Sequence, residues 1–241
     1  MLRPGLLRFT PKSNPSNILI GEPTNPTLDI GLAVASADNV EITVYSGISL
    51  LNPGTKTSRT ETIHTLLSPL SGKEAGCTRC IGLNYTSHAN EMNLPIPTVP
   101  TLFLKPPTSL GDPYPTASTI LPRITQEDGS GDYEAEMAVI IGADVKDVSE
   151  EEAMEYVLGY TAANDISSRT SQGNQSQWCF SKGFDGACPL GPVVVSKEAL
   201  GDVGGLRIRG LKNGVVLQDC PLSYVPFSPI LLPNGWVVLT R

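Results

Sequence analysis

Apolar residues run unbroken from Met137 to Ile141, preceded by the acidic stretch Asp132-Tyr133-Glu134-Ala135-Glu136 and closed by Gly142. A short apolar run bounded in this way predicts a strand over Asp132–Gly142, buried on both faces. Downstream, Ser149 with Glu152 fits a capping box, and Glu150 and Glu151 suit the positive end of a helix. Ala153, Met154, Val157 and Leu158 then recur at i, i+3/i+4. The pattern predicts a helix over Ser149–Thr161, its acidic run on a solvated face. Pro192–Ser196 predicts a further strand. Gly205–Gln218 predicts a hairpin whose Asn213-Gly214 pair suits a two-residue type I′ turn.

The first 73 residues have a different texture. Strand-type composition at Asn17–Ile20, Leu28–Ala35 and Val40–Tyr45 is punctuated by turn clusters at Pro11–Ser16, Gly21–Pro26 and Leu51–Ser58. This predicts a small β-rich N-terminal subdomain (1–73), with Ser68–Glu74 as connector to a larger unit over 74–241. From Pro95 to Pro115, prolines interrupt an apolar Leu102-Phe103-Leu104 segment, which reads as ordered irregular chain around a site. With 21 Pro and 23 Gly, short strands and turns are expected to dominate over long helices.

Charge removes some function classes. The net charge is −7 and there is no Lys/Arg block, so a nucleic-acid surface is not expected. A small anionic substrate stays compatible, because a bound metal or a few local cations override the global sign. The five cysteines are odd in number and scattered, which is no disulfide framework; Cys77-x-x-Cys80 has no second pair for zinc and reads as incidental thiols. Met1–Arg8 has no apolar signal region, and no apolar run approaches a membrane span. The expected location is cytoplasmic, or alternatively mitochondrial, with no membrane partner.

Candidate chemistry lies in the second unit. Residues i and i+2 of a strand point the same way, so Glu134 and Glu136 present two carboxylates on one face. Such a pair raises its own pKa values, a conflict that a divalent cation removes. Taken alone, however, the pattern fits a solvated strand face better. Asp165, in Asn164-Asp165-Ile166-Ser167-Ser168-Arg169, is placed by this reading at the C-terminal end of the predicted helix. There an acid opposes the helix dipole, which points to another role such as metal ligation; the plain alternative is a turn aspartate. His88 and Glu91 are spaced to share a helix face as an imidazole–carboxylate base pair, or as an ordinary surface pair. His64 has no acidic partner of that quality and reads as surface. Lys105 and Lys182, in apolar surroundings, are candidate anion or oxyanion donors, or else snorkelling surface lysines.

In order and spacing these segments resemble one family. Ile81-Gly82-Leu83-Asn84-Tyr85, then His88 and Glu91, then Phe103-Leu104-Lys105-Pro106, Asp132–Glu136, Asn164–Arg169, Lys182-Gly183-Phe184-Asp185 and Gly191-Pro192 are similar to the fumarylacetoacetate hydrolase family, over roughly residues 75–220. The resemblance implies a mainly β fold with few helices, a mixed β-sandwich roll preceded by a small β-rich N-terminal subdomain. It implies Mg²⁺ (or Mn²⁺/Ca²⁺) at Glu134, Glu136 and Asp165, a catalytic group of His88, Glu91 and Lys182, and substrate contacts from Tyr85, Lys105, Arg169 and Gln172. The activity implied is metal-dependent hydrolysis or lysis of a C–C bond in a small β-diketo or keto-acid substrate, through a metal-stabilised enolate. The alternatives are an oxaloacetate-type decarboxylase, an isomerase, or a catalytically impaired metal-binding member. A homodimer is implied as the assembly. The sequence departs from the family at Thr170, where an aspartate usually stands, at Leu83, and at its C-terminal end. There Trp236–Thr240 reads as a strand followed by nothing, so a shortened catalytic domain is expected, its last strand leaving backbone groups unpaired unless a neighbour supplies partners.

Overall fold

The computed structural model describes residues 5–82, 101–224 and 236–239. Its organising element is the apolar run, which forms β9 (Ala135–Ile141). Alternation along this strand serves two cores. Ala138 and Ile140 pack with Cys80, Phe103, Cys188 and Leu190, whereas Met137 and Val139 pack with Val157, Tyr160, Cys220 and Leu222 on the opposite face. Full burial of side chains of this size stabilises by about 1.5–3 kcal/mol each. The burial on both faces is what the run predicts.

β9 is flanked by β10 (Val157–Asn164), antiparallel with Tyr160 opposite Val139, and by β15 (Trp236–Leu239), parallel with Val238 opposite Val139. With β5 (Thr78–Gly82), β6 (Thr101–Lys105), β7 (Leu110–Gly111) and β12 (Cys188–Ser196) they make a seven-stranded sheet in the order β6-β5-β15-β9-β10-β12-β7. Neighbours supply partners to the last strand: β15 lies between β5 and β9 and is hydrogen-bonded on both sides.

The N-terminal segment closes into a four-stranded barrel of β1 (Leu7–Pro11), β2 (Leu19–Pro23), β3 (Glu41–Tyr45) and β4 (Lys56–Leu67). Leu7, Phe9, Ile42, Val44, Ile63 and Leu66 fill it. β4 is long and threonine-rich, a composition suited to a pleated, half-buried surface. Part of the expected Leu28–Ala35 strand is instead helix α1 (Ile30–Ala35). The Asp29 carboxylate accepts from Leu32 N–H at 2.9 Å, and Ile30 and Ala33, three apart, turn inward. The chain leaves the barrel through α2 (Gly72–Ala75), started by a Ser71–Glu74 capping box. A two-way backbone bridge between Leu6 and Val194 ties the barrel's entry to β12.

The predicted helix over Ser149–Thr161 is also corrected. Ser149 and Glu152 do form the capping box, but helix α4 covers Glu150–Ala153 only; a single 3₁₀ turn follows, and β10 begins at Val157. Val157, Tyr160 and Thr161 favour extended chain, and the gap between β9 and β12 supplies ladder partners along the strand. The remaining helices are short: α3 (Arg123–Glu127), α5 (Arg169–Gly173), α6 (Cys179–Lys182) and α7 (Lys197–Leu200). The predicted hairpin is β13 (Arg207–Lys212) and β14 (Val215–Pro221), turned by Asn213 (φ 52°) and Gly214 (φ 79°). Its base carries Ile208 and Cys220 onto the Met137/Val139 face of β9.

Candidate active site

Antiparallel pairing sets the start of β9 beside the end of β10. The residues just outside each strand, Glu134 and Asp165, are thereby neighbours, and Asp165 N–H donates to Glu134 C=O at 2.9 Å. Two short strands, β8 (Gly131–Asp132) and β11 (Ser167–Ser168), pair next to them and bring Asp132 opposite Ser167. The Asn164 side chain accepts from Glu134 N–H at 3.1 Å. Gln218 of the hairpin holds the next residue from both sides, donating to Ala135 C=O at 2.7 Å and accepting from Ala135 N–H at 2.9 Å. The carboxylate at Glu134 thus stands on a backbone fixed by two separate segments, the end of β10 and the hairpin.

Around these acids the chain places three cations. Lys182, the last residue of α6 and 2 % exposed, donates to Glu134 Oε2 at 2.9 Å, Asp165 Oδ2 at 2.9 Å and Ser167 Oγ at 2.7 Å. Arg169, first residue of α5, donates to Glu134 Oε1 at 2.5 Å, to Asp132 Oδ2 through Nε at 2.8 Å, and to Gln172 Oε1 at 3.0 Å. Lys105, at the inner face of β6, is fully buried. It donates to the carbonyls of Lys182 (2.5 Å) and Ala187 (2.9 Å), and its ammonium lies 2.6 Å from Asp165 Oδ1. That last approach is an ion pair without hydrogen-bond alignment, so the buried Oδ1 accepts no directed hydrogen bond.

The electrostatics follow from this packing. Burial pushes the Asp165 carboxyl up, but the ammoniums of Lys182 and Lys105 outweigh it and hold Asp165 below the usual carboxylate range. Burial pushes Lys182 down, and Asp165 and Glu134 overcome it and hold the ammonium above its ordinary value. The nearby thiols go the other way. Burial raises Cys80 well above a free thiol, and it pushes Cys188 up to about 11. Both stay protonated at neutral pH and are poor nucleophiles.

An aromatic wall completes one side. The Phe103 and Trp178 rings meet edge-on, 5.5 Å between centroids, and Lys182 Nζ lies 5.3 Å over Phe103. A Cβ added at Gly82 would fall 2.1 Å from the Trp178 ring, so this approach requires glycine. A hollow of about 580 Å³ borders the cluster and shares Asp132 and Asn164 with it; Glu134 and Asp165 are not in its lining.

Of the residues expected from the sequence, Glu134, Asp165, Lys182, Arg169, Gln172 and Lys105 come together here. Glu136 follows on β9, where alternation puts it on the Ala138–Ile140 face and its charge acts on Cys188. Among the described residues, no group of three or more His, Cys, Asp and Glu side chains forms a ready metal cage. The Lys182 ammonium stands between Glu134 and Asp165. Tyr85, His88 and Glu91 lie outside the described residues. His64 is exposed, as its sequence context suggested, and pairs with Thr65. Asp165 does not end a helix, so the expected opposition to a helix dipole does not apply; it follows a strand. Sequence reasoning missed Ser167, Asp132 and Gln218 as members of the site. The serine and aspartate are inside recognised motifs, while nothing in the hairpin marks Gln218.

This mainly β architecture is shared with a known class of solved structures. The crystal structure of 2-hydroxyhepta-2,4-diene-1,7-dioate isomerase from Mycobacterium marinum superposes with a TM-score of 0.74 at 25% identity, covering 99% of this chain and 86% of that one. Residues 77–232 match the family described as fumarylacetoacetate (FAA) hydrolase C-terminal, and the chain belongs to that family. Among curated relatives, a caffeoylpyruvate hydrolase of Neonothopanus nambi is 44% identical over 183 residues, 74% of this chain and 62% of the relative. An oxaloacetate tautomerase of Xenopus laevis, mitochondrial, is 39% identical over 166 residues, 68% of this chain and 50% of the relative. The chain thus spans between half and two thirds of the length of these relatives. Among the described residues, no helix is long and apolar enough to cross a membrane.

Proposed function

We propose that this chain is a metal-dependent enzyme acting on small keto acids, with Glu134, Glu136 and Asp165 holding a divalent cation such as Mg²⁺. The observation that carries the reading is the buried centre itself: Asp165 and Lys182 are almost wholly removed from water at a point where four segments converge. The donor set fits a hard cation, since all three side chains offer carboxylate oxygen, and Asp165 Oδ1 is buried with no directed hydrogen bond to satisfy it. The local charge agrees. Asp132, Glu134 and Asp165 are paired with Lys105, Lys182 and Arg169, Glu136 on β9 adds one negative charge whose field reaches Cys188, and a divalent cation turns this excess into one positive charge suited to a monoanionic acid. A bound cation would supply Lewis-acid polarisation of substrate oxygens.

The chain's own groups do the rest. Arg169 holds Glu134 and commits Gln172 Oε1, so the Gln172 amide presents its NH₂ to a substrate oxygen. Lys182 offers its ammonium to negative charge that develops on the substrate. His88, with Glu91, is assigned the role of general base from the family resemblance. If it activates water against a carbonyl, a C–C bond is hydrolysed; if it shifts a substrate proton, the result is tautomerisation. The second outcome is favoured by the name of the Xenopus laevis relative, the first by that of the Neonothopanus nambi relative.

The test is a thermal-shift titration with Mg²⁺ beside turnover of oxaloacetate and acylpyruvates. Binding to the folded state alone stabilises by about 2.7 kcal/mol at a hundredfold excess over Kd. Wild type should shift and Glu136→Gln should not. Equal shifts in both would remove Glu136 from the site, and no turnover with or without Mg²⁺ would defeat the enzyme reading.

A further inference from the structure

We propose that Lys105 is a positioning residue that holds Asp165 and the Lys182 turn in place for the reaction and never reaches the substrate. This rests on the reading of Asp165 and Lys182 as site groups. An ammonium has three N–H donors and no acceptor. At Lys105 two donors go to backbone carbonyls, of Lys182 at 2.5 Å and of Ala187 at 2.9 Å, and the charge is paired with Asp165 Oδ1 at 2.6 Å. The side chain is 0 % exposed, so the ammonium faces protein oxygens and not solvent. Burying an ammonium is costly unless it is paired and hydrogen-bonded, and Lys105 has one ion pair and two hydrogen bonds.

The three oxygens come from places that have to move together. Lys182 ends α6, Ala187 leads into β12, and Asp165 follows β10. A single cation from β6 therefore fixes the carbonyl of the residue whose ammonium binds Asp165, and fixes Asp165 as well. The two Asp165 oxygens are divided, Oδ1 to Lys105 and Oδ2 to Lys182. With Lys105 gone, the carboxylate keeps only one cation and can rotate about its side chain; the α6 end loses its anchor to β6. A displacement of about 1 Å in such a group costs turnover on the order of 10²-fold without weakening substrate binding.

The experiment compares wild type, Lys105→Met, Asp165→Asn and the double variant. Unfolding by urea is read first: Lys105→Met should lower the unfolding constant at least tenfold, and the double variant should lose at least tenfold less than the two single losses combined. Steady-state kinetics on the keto acid turned over by wild type, at saturating Mg²⁺, should show kcat reduced about 10²-fold in Lys105→Met with KM within threefold. A rise in KM beyond tenfold with kcat kept makes Lys105 a substrate ligand and overturns the proposal. Unchanged kcat and KM in a folded variant overturns it too, leaving only a structural ion pair. If Lys105→Met does not fold, the double variant must be the more stable of the two, and its failure to be so refutes the pairing. If wild type turns over no keto acid, the proposed function falls separately. The Mg²⁺ midpoint from thermal shift then decides: at least tenfold weaker in Lys105→Met supports the positioning role, and an unchanged midpoint or no binding in either protein overturns it.

Discussion

Replacing Lys182 by methionine deletes the ammonium while keeping a side chain of similar reach against Phe103. In the folded protein that ammonium serves three acceptors, two of them carboxylate oxygens, at 2.7–2.9 Å and is almost fully buried. Breaking a buried ion pair from one side costs about 3–5 kcal/mol, because the remaining charge stays desolvated. Here neither carboxylate is left bare: Asp165 keeps Lys105, and Glu134 keeps Arg169. The loss should therefore fall at the lower end, about 3 kcal/mol, or roughly a hundredfold in the folding equilibrium. With a urea m-value of about 3 kcal/mol/M, the midpoint moves down by about 1 M. Equilibrium urea denaturation in the presence of a chelator measures it. The same substitution removes the group competing with a cation for Glu134 and Asp165, so Mg²⁺ should raise the melting temperature of Lys182→Met by more than it raises that of wild type. A midpoint within about 0.3 M of wild type would show that the ion pairs contribute little. A smaller Mg²⁺ shift in the variant would refute the competition.

Two further outcomes follow from contacts away from the ion pairs. Gln218→Ala removes both hydrogen bonds to the Ala135 backbone and leaves a part-buried N–H and C=O unpaired; a loss of about 1–3 kcal/mol is expected, with faster amide exchange at Ala135, and unaltered exchange would show that the hairpin does not hold the start of β9. At Glu74, burial pushes the carboxyl up, but hydrogen bonds from Ser49 and Ser71 outweigh it and hold its pKa below the ordinary glutamate value of 4.5, so its contribution to stability is full above that value and is lost as pH falls through the lower folded pKa; Glu74→Gln should flatten the stability profile below pH 4.5, and an unchanged slope there would refute the assignment.

The sequence was most legible where a local pattern also had a tertiary reason. The Met137–Ile141 run became a strand with both faces buried, the Asn213-Gly214 pair became the turn of the β13–β14 hairpin, and Ser149 and Glu152 became a capping box. Helical spacing misled at Val157 and Leu158. Their period suits a helix face, yet β-branched and aromatic neighbours and an open slot between two strands made the chain extend. Leu28–Ala35 failed in the opposite sense, because Asp29 caps a helix that its apolar composition did not announce. In the site, the acidic residues stood out through motif order. Lys105 and Lys182 also stood out, but Gln218 did not, and because the two lysines and Gln218 arrive from β6, α6 and a hairpin far along the chain, only folding reveals that their donors converge. Both lysines prove to be buried, and their partners separate them: Lys105 reaches two backbone carbonyls and Asp165, whereas Lys182 reaches two carboxylates and a serine hydroxyl.

The position of the acids has a simple topological cause. Where an antiparallel pair begins one strand and ends the other, the residues just outside the ladder are side by side, and here those residues are Glu134 and Asp165. Two adjacent carboxylates oppose each other's ionisation, and burial adds to the cost. The chain answers with Lys182 between them, Lys105 behind Asp165 and Arg169 across Glu134. As a device for stability this is a poor choice, because well-packed apolar residues in place of buried ion pairs are often as stable or more so. The chain has such residues close by, in the Ala138–Ile140 core. What an apolar replacement cannot do is present a fixed, dry set of charges to a polar ligand, and that is the property an acid–lysine centre supplies to chemistry at a carbonyl. On the function proposed above, the arrangement serves binding more than stability, and the variants that neutralise it should lose turnover well before they lose the fold.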